Sequence, residues 1–293
     1  SLTGDLPGAR EDLRSALHLG DPGADRSRLL SRLAMSYSGA EDPSRARELS
    51  ELALVEAGED DAARAVALEV GSILDVNLGE ETRARARAEA ARALYVRLGD
   101  ALGTARILDA RAMATFLAGD IRTGERLFAR VAGIFEDCGD LFRVLTPRST
   151  QGHALVFLDR PPEGLVAATS SLRLARELGH REGEAYALWH RSEALSALDR
   201  PDEAEADAVA ALAIAERIGH RGWTATSLRA LGIARSSGGD VDGAHEAFRR
   251  SLEHADGLDL FCSWAAARLA LCEIGLGSLD RARRHVSLAL ATG

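Results

Sequence analysis

Small and apolar positions recur along this chain with a period near 40 residues, which is longer than any local helix or strand rule. A glycine closes each unit at Gly20, Gly58, Gly99, Gly139, Gly179, Gly219 and Gly257, the middle five separated by 41, 40, 40 and 40 residues. A second turn follows about halfway through each unit, at Gly4-Asp5, Glu41-Asp42, Gly79-Glu80, Gly119-Asp120, Asp159-Arg160, Asp199-Arg200, Gly239-Asp240 and Gly277-Ser278. Four residues beyond each of these comes a residue that is always alanine or glycine: Ala9, Ala46, Ala84, Gly124, Gly164, Ala204, Ala244 and Ala282. A position that stays small is what close approach of two helices requires, because a larger side chain overpacks the contact. Eight positions further on, Leu17, Leu54, Ala132, Leu172, Leu212, Leu252 and Leu290 mark a buried stripe, with Arg92 the exception.

The segments between turns are rich in Ala, Leu, Arg and Glu, all strong helix formers. Pro43, Pro161 and Pro201 stand at the first helical position, where a missing N–H costs nothing. The pattern predicts an all-α chain with one leading helix over about residues 7–18 and then seven helix pairs, read as a single repeat domain over residues 1–293. Pro147 is the exception: it lies where other repeats have a mid-helix residue, so a break or kink is expected, with a shortened helix from about Arg148. The first helix lacks its pair partner, no initiator Met is present, and no polar capping helix closes the end. Both ends therefore read as cut from a larger protein.

Composition changes this picture mainly by exclusion. No run of apolar residues is long enough for a membrane span, and the first residues have neither the basic nor the apolar part of a secretory signal. Cys138, Cys262 and Cys272 make no disulfide framework, so a reducing, cytoplasmic setting is expected. A net charge of -9 opposes direct contact with nucleic acid. All 36 basic residues are arginine, so no Walker A lysine and no Schiff-base lysine lies within the chain. The arginine run from Glu81 to Leu94 carries acids at helical spacing and reads as a solvated face. HExxH, CxxC, GxSxG and GxGxxG motifs are missing, so no catalytic residues, no metal and no cofactor are expected. His180 and His220 occupy equivalent places after closing glycines. Repeats stack about 10 Å apart, too far for both to reach one zinc at about 2.0 to 2.1 Å, so these histidines read as joints between repeats.

Leu228, Leu231-Gly232, Gly239-Asp240, Ala244 and Phe248 form a series that Leu30, Leu33, Ala34, Tyr37, Asp42 and Ala46 repeat. The series resembles the tetratricopeptide pattern of a large apolar residue, Leu-Gly, a turn, Ala and an aromatic. The resemblance covers essentially the whole chain, though Arg111, Gln151 and Arg191 stand where the pattern has leucine. It implies a right-handed α-solenoid superhelix. Repeats of about 40 residues are similar to the sensor regions of large bacterial LuxR-type multidomain regulators, with bacterial peptide receptors as a second likeness, and lysine-free, alanine-rich repeats fit actinobacterial members.

In that family the first helix of each pair lines the concave surface and ligands lie there. The repeat register then turns Arg106, Asp109 and Phe116 inward, followed by His153, then Tyr186, Trp189 and Glu193, then Arg229 and Trp264. Trp189 and Trp264 either present anchors to a partner or fill gaps in an alanine-rich core. Glu193 with Arg229 is either part of the ligand surface or an ion pair between repeats. The partner implied is a protein or peptide, with a small-molecule effector as a variant and homo-oligomerisation left open. The function implied is recognition, as the sensor or scaffold region of a bacterial transcriptional regulator; the alternative is a free-standing adaptor or signalling-peptide receptor.

Overall fold

The computed structural model describes residues 6–37 and 42–293. The turn read at Gly4-Asp5, and Glu41 of the next one, lie outside the described residues. Among the described residues all regular structure is α-helical. Helix α1 (Leu6–Leu19) comes first, followed by α2 (Ala24–Ser36) with α3 (Pro43–Ala57), α4 (Asp61–Asn77) with α5 (Glu81–Leu98), and α6 (Ala101–Leu117) with α7 (Ile121–Asp137). The pairs continue as α8 (Leu141–Phe157) with α9 (Pro161–Glu177), α10 (Arg181–Ala197) with α11 (Pro201–Ile218), α12 (Arg221–Ser237) with α13 (Val241–His254), and α14 (Asp259–Gly275) with α15 (Leu279–Thr292). The helix count and pairing agree with the repeat pattern, and the chain is an all-α solenoid of helix hairpins. No helix among the described residues is long and apolar enough to cross a membrane.

The helices gather into two compact units, α1 to α7 and α8 to α15, with the division at Gly139 and Asp140. In the first unit α2, α4 and α6 pack on one another in sequence, and in the second α8, α10, α12 and α14 do the same. Within each unit the second helices α3, α5, α9, α11 and α13 pack on the first helices before and after them. The first helices therefore form the inner layer of each unit.

The joints are built from two adjacent residues with opposite backbone demands. Gly99, Gly139, Gly179 and Gly219 take left-handed φ values of 68°, 72°, 64° and 71°, where glycine carries no Cβ penalty. The next residue caps the following helix: Asp100 and Asp140 accept from the backbone N–H three residues on, and His180 and His220 do so through Nδ1, at 2.8 Å from Gly183 and 3.1 Å from Trp223. The expectation that these histidines are repeat joints is thus given a physical form, since neutral imidazole Nδ1 replaces a carboxylate oxygen as acceptor. Asp159 and Asp199 hold the left-handed position without glycine, at φ 60° and 57°, followed by Arg160 and Arg200 and then the N1 prolines.

The small positions are buried contacts. Ala204 and Ala244 are fully enclosed. At Gly164 a Cβ would lie 2.6 Å from the Gly152 carbonyl oxygen, so α8 and α9 meet backbone to backbone. Buried hydroxyls tie the hairpins as well: Ser171 donates to the Leu145 carbonyl at 2.9 Å, and Ser251 to the Ala225 carbonyl at 2.7 Å.

Two expectations need correction. Helix α8 runs unbroken from Leu141 to Phe157 through Pro147, with no shortened start at Arg148. Pro147 forfeits a single bond, to the Arg143 carbonyl, and its neighbours Val144, Leu145 and Ser149 are buried in tertiary contacts that hold the helix on both sides. The arginine run of α5 is only partly a solvated face. Arg83 and Arg87 reach the buried Asp75 of α4 at 2.6 and 3.2 Å, while Arg92 pairs along its own helix with Glu89 at 3.1 Å.

Candidate functional site

In the second unit the first helices bring four of the expected residues into one polar thread. Glu193 on α10 is the centre: its Oε1 accepts from Arg229 Nη2 of α12 at 2.6 Å, and its Oε2 lies 2.7 Å from His153 Nε2 of α8. The Arg229 guanidinium stacks over the Trp264 ring of α14 at 4.5 Å, and the His153 ring meets Trp264 edge-on at 5.8 Å. Four consecutive first helices are thereby joined through side chains. His153, Glu193 and Arg229 are 1%, 6% and 5% exposed, so the thread is interior rather than open surface. The physical reason is the spacing of the inner layer, which leaves little room between facing side chains, and these residues fill it.

Trp189 is likewise interior, at 3% exposure, packed in the cluster that holds Leu188, Leu228 and Leu231. Its indole N–H donates to His190 Nε2 at 3.0 Å, and its ring lies 4.5 Å from Tyr186 and 5.7 Å from Trp223. Of the two tryptophans the repeat register turned inward, Trp189 is therefore a core residue and Trp264 a half-buried one. Tyr186 is half-buried, with its hydroxyl 2.9 Å from that of Thr150.

Burial and charge set the protonation states. Burial alone would raise the Glu193 carboxyl, but Arg229 and His153 outweigh it and hold it well below the usual carboxylate range. Burial, with His153 adding to it, pushes His190 well below the usual imidazole value, so His190 is neutral. Its Nε2 accepts from Trp189, which leaves Nδ1 as the protonated nitrogen, and that atom finds no hydrogen-bond partner among the described residues.

In the first unit the expected residues divide. Arg106 of α6 is tied to Glu69 of α4 at 2.8 Å and to the Tyr95 hydroxyl of α5 at 3.0 Å. Phe116 is core, edge-on to Phe128 at 6.1 Å. Asp109 is half-buried, with no hydrogen bond or ion pair among the described residues, and burial, with Glu69 adding to it, pushes its carboxyl up to about 7. Sequence reading missed Glu69, Tyr95 and His190, because their repeat positions carry no mark of their partners.

A second polar cluster lies outside the inner layer, in a cavity of about 550 Å³ between α13, α14 and α15. The buried Glu273 forms its floor, 2.7 Å from His285 Nδ1 and 3.7 Å from both His245 Nε2 and Arg281 Nε. No group of three or more His, Cys, Asp or Glu among the described residues is arranged to hold a metal ion.

Comparison with known proteins agrees with this architecture. Residues 184–256 match the family model described as tetratricopeptide repeat. A search of curated protein sequences finds no match. Among solved structures, the Rap protein complexed with Competence and Sporulation Factor superposes with a TM-score of 0.69 at 14% identity, over 99% of this chain and 91% of that one. The Cut9-Hcn1 hetero-tetramer of APC/C gives 0.67 at 14% identity over 100% of this chain and 51% of that chain. The STAND protein with a tetratricopeptide repeat sensor from Pyrococcus horikoshii gives 0.53 at 13% identity, over 91% of this chain and 44% of that chain. At these identities the likeness is one of fold.

Proposed function

We propose that the chain, an all-α solenoid in which residues 184–256 match the tetratricopeptide-repeat model, is a recognition module for a protein or peptide and serves as the sensor or scaffold region of a larger bacterial transcriptional regulator. The carrying observation is the thread His153–Glu193–Arg229–Trp264, which crosses four consecutive first helices on the side where ligands of such repeats lie. Its buried part holds the first helices in register, and the half-buried Tyr186 and Trp264 beside it meet the ligand. Arg106 and Asp109 offer the corresponding face in the first unit. We read residues 1–293 as one repeat domain of that protein, working in the cytoplasm, and as a binding rather than a catalytic element.

Two of the structural likenesses support the two forms this reading takes. A tetratricopeptide sensor attached to a signal-transduction ATPase favours the regulator, and a Rap protein in complex with a factor favours the runner-up, a free-standing receptor. Sequencing the complete open reading frame tests between them. A P-loop ATPase and a helix-turn-helix segment in the same frame are expected. A complete gene with neither would sink the regulator reading, and a short gene with its own capping helices would establish the runner-up.

A further inference from the structure

We propose that His190 is an acid-triggered latch of the second unit: taking up a proton breaks its bond to Trp189 and favours an open form in which α10 is released from α8 and α12, while the first unit does not respond. This goes beyond the recognition reading above and does not depend on it.

Histidines are divided unequally between the units. Seven of the eight lie in the second unit, and the first holds only His18, which is exposed. Among the seven, His153 and His190 are the buried ones, and they differ in what a proton would meet. His153 Nε2 lies 2.7 Å from the Glu193 carboxylate, which supplies a counter-charge. His190 Nε2 instead faces the Trp189 indole N–H at 3.0 Å, a group that only donates, and its Nδ1 has no hydrogen-bond partner among the described residues. An imidazolium has no acceptor nitrogen, so neither orientation of the ring keeps the Trp189 bond once the second proton is on.

The groups packed around the site do not offset that loss. From α8 the His153 ring lies 4.6 Å away, and from α12 Arg229 adds positive charge. On α10 itself the Tyr186 ring lies 4.8 Å away, and Glu193, one turn on, is already engaged by Arg229 and His153. Helices α9 and α11 bring Arg176 and Asp207, which are tied to Glu184 at 3.0 Å and to Arg191 at 2.6 Å. Burial first, and His153 next, hold the His190 imidazole well below its usual 6.5. The stabilisation is therefore fully present above that pH and is lost as pH falls below it, because the open chain takes the proton first. The same register position is buried in the neighbouring first helices, where Thr150 and Ala230 stand, so packing does not demand a titrating group there. Trp189 belongs to the core cluster with Leu228 and Leu231 of α12, and the His190 ring rests on His153 of α8, so disrupting this one site loosens α10 on both sides.

The test follows urea unfolding of the full chain by tryptophan fluorescence at pH 7 and pH 5. Trp189, Trp223 and Trp264 all lie in the second unit, so the signal reports that unit. A histidine that stays neutral when packed and titrates near 6.5 when released raises the unfolding equilibrium constant about 25-fold between these two pH values. His190→Gln keeps an acceptor for the indole N–H without a titrating group, and His190→Thr copies the residue at position 150. In both variants the acid-induced rise is expected to shrink by about that factor, the remainder coming from the other histidines of the unit. A rise as large as that of the unaltered chain in either folded variant overturns the latch. Histidine-nitrogen NMR reads the site directly. The His190 signals, identified by their absence in His190→Gln, are expected to stay those of a neutral ring down to pH 5, and titration near 6.5 in the folded chain overturns the proposal. Hydrogen exchange, corrected for its intrinsic pH dependence, is expected to show protection lost at pH 5 in α8, α10 and α12 and kept in α2, α4 and α6. Equal loss in both units overturns the confinement of the response to the second.

Discussion

At the scale of single residues, the buried Glu193–Arg229 pair is the most consequential contact. Removing one partner leaves an uncompensated interior charge, so Arg229→Met should destabilise by about 3 to 5 kcal/mol. Adding Glu193→Gln to that variant should recover part of the loss, and urea titration of the single and double variants measures both. The histidine caps respond to pH in a defined direction. His180 is held below the usual value of 6.5, first by burial, and its Nδ1 accepts from the Gly183 N–H. Protonation converts that nitrogen into a donor and removes the cap. Its contribution is fully present above pH 6.5 and is lost as pH falls below that value, because the unfolded chain takes the proton first. His180→Asp, the residue type of the equivalent Asp140, should keep the cap and remove this step, worth roughly 1 kcal/mol in melting experiments at pH 7 and pH 5.

Helices in this chain are specified by their joints and by how closely they approach. The same substitution should therefore act in opposite directions at two glycines. A Cβ added at Gly133, inside α7, would meet nothing within 4 Å, so Gly133→Ala gains helix propensity, about 0.5 to 1 kcal/mol. Gly164 faces the Gly152 carbonyl, which a new Cβ would approach to 2.6 Å, so Gly164→Ala must push α8 and α9 apart and should cost about 1 to 3 kcal/mol. Thermal unfolding of the two variants checks the signs, and a gain at both would show that the hairpin tolerates a wider spacing. Pro147 carries the complementary lesson: local preference opposes a helix there, but the buried residues around it outweigh the single lost bond.

At the scale of the molecule, repeat stacking makes stability a sum of local and nearest-neighbour terms. A lesion in one compact unit should stay in that unit. Hydrogen exchange on Arg229→Met should speed up in α8 to α14 while α2 to α6 keep their protection, and uniform loss across both would mean that the units unfold as one. Much of this architecture is legible without coordinates. The 40-residue period, the obligatory small position and the glycine joints follow from chain-local physics, since left-handed backbone and close helix contact restrict the residue type wherever they occur. The period could not show where the stack divides into units, since the joint at Gly139-Asp140 reads like those at Gly99-Asp100 and Gly179-His180. The site was only half legible. Register placed His153, Tyr186, Trp189, Glu193, Arg229 and Trp264 on one layer, yet it could not tell which would be sealed. Nor did it mark His190. Exposure and pairing depend on how far apart the helices settle and on which side chains then meet, and those are sums over contacts between residues distant in sequence. The sequence by itself determined the repeat and its inner face; the tertiary packing alone decided that most of that face is filled from within, because interior space is shared out among side chains from four different helices.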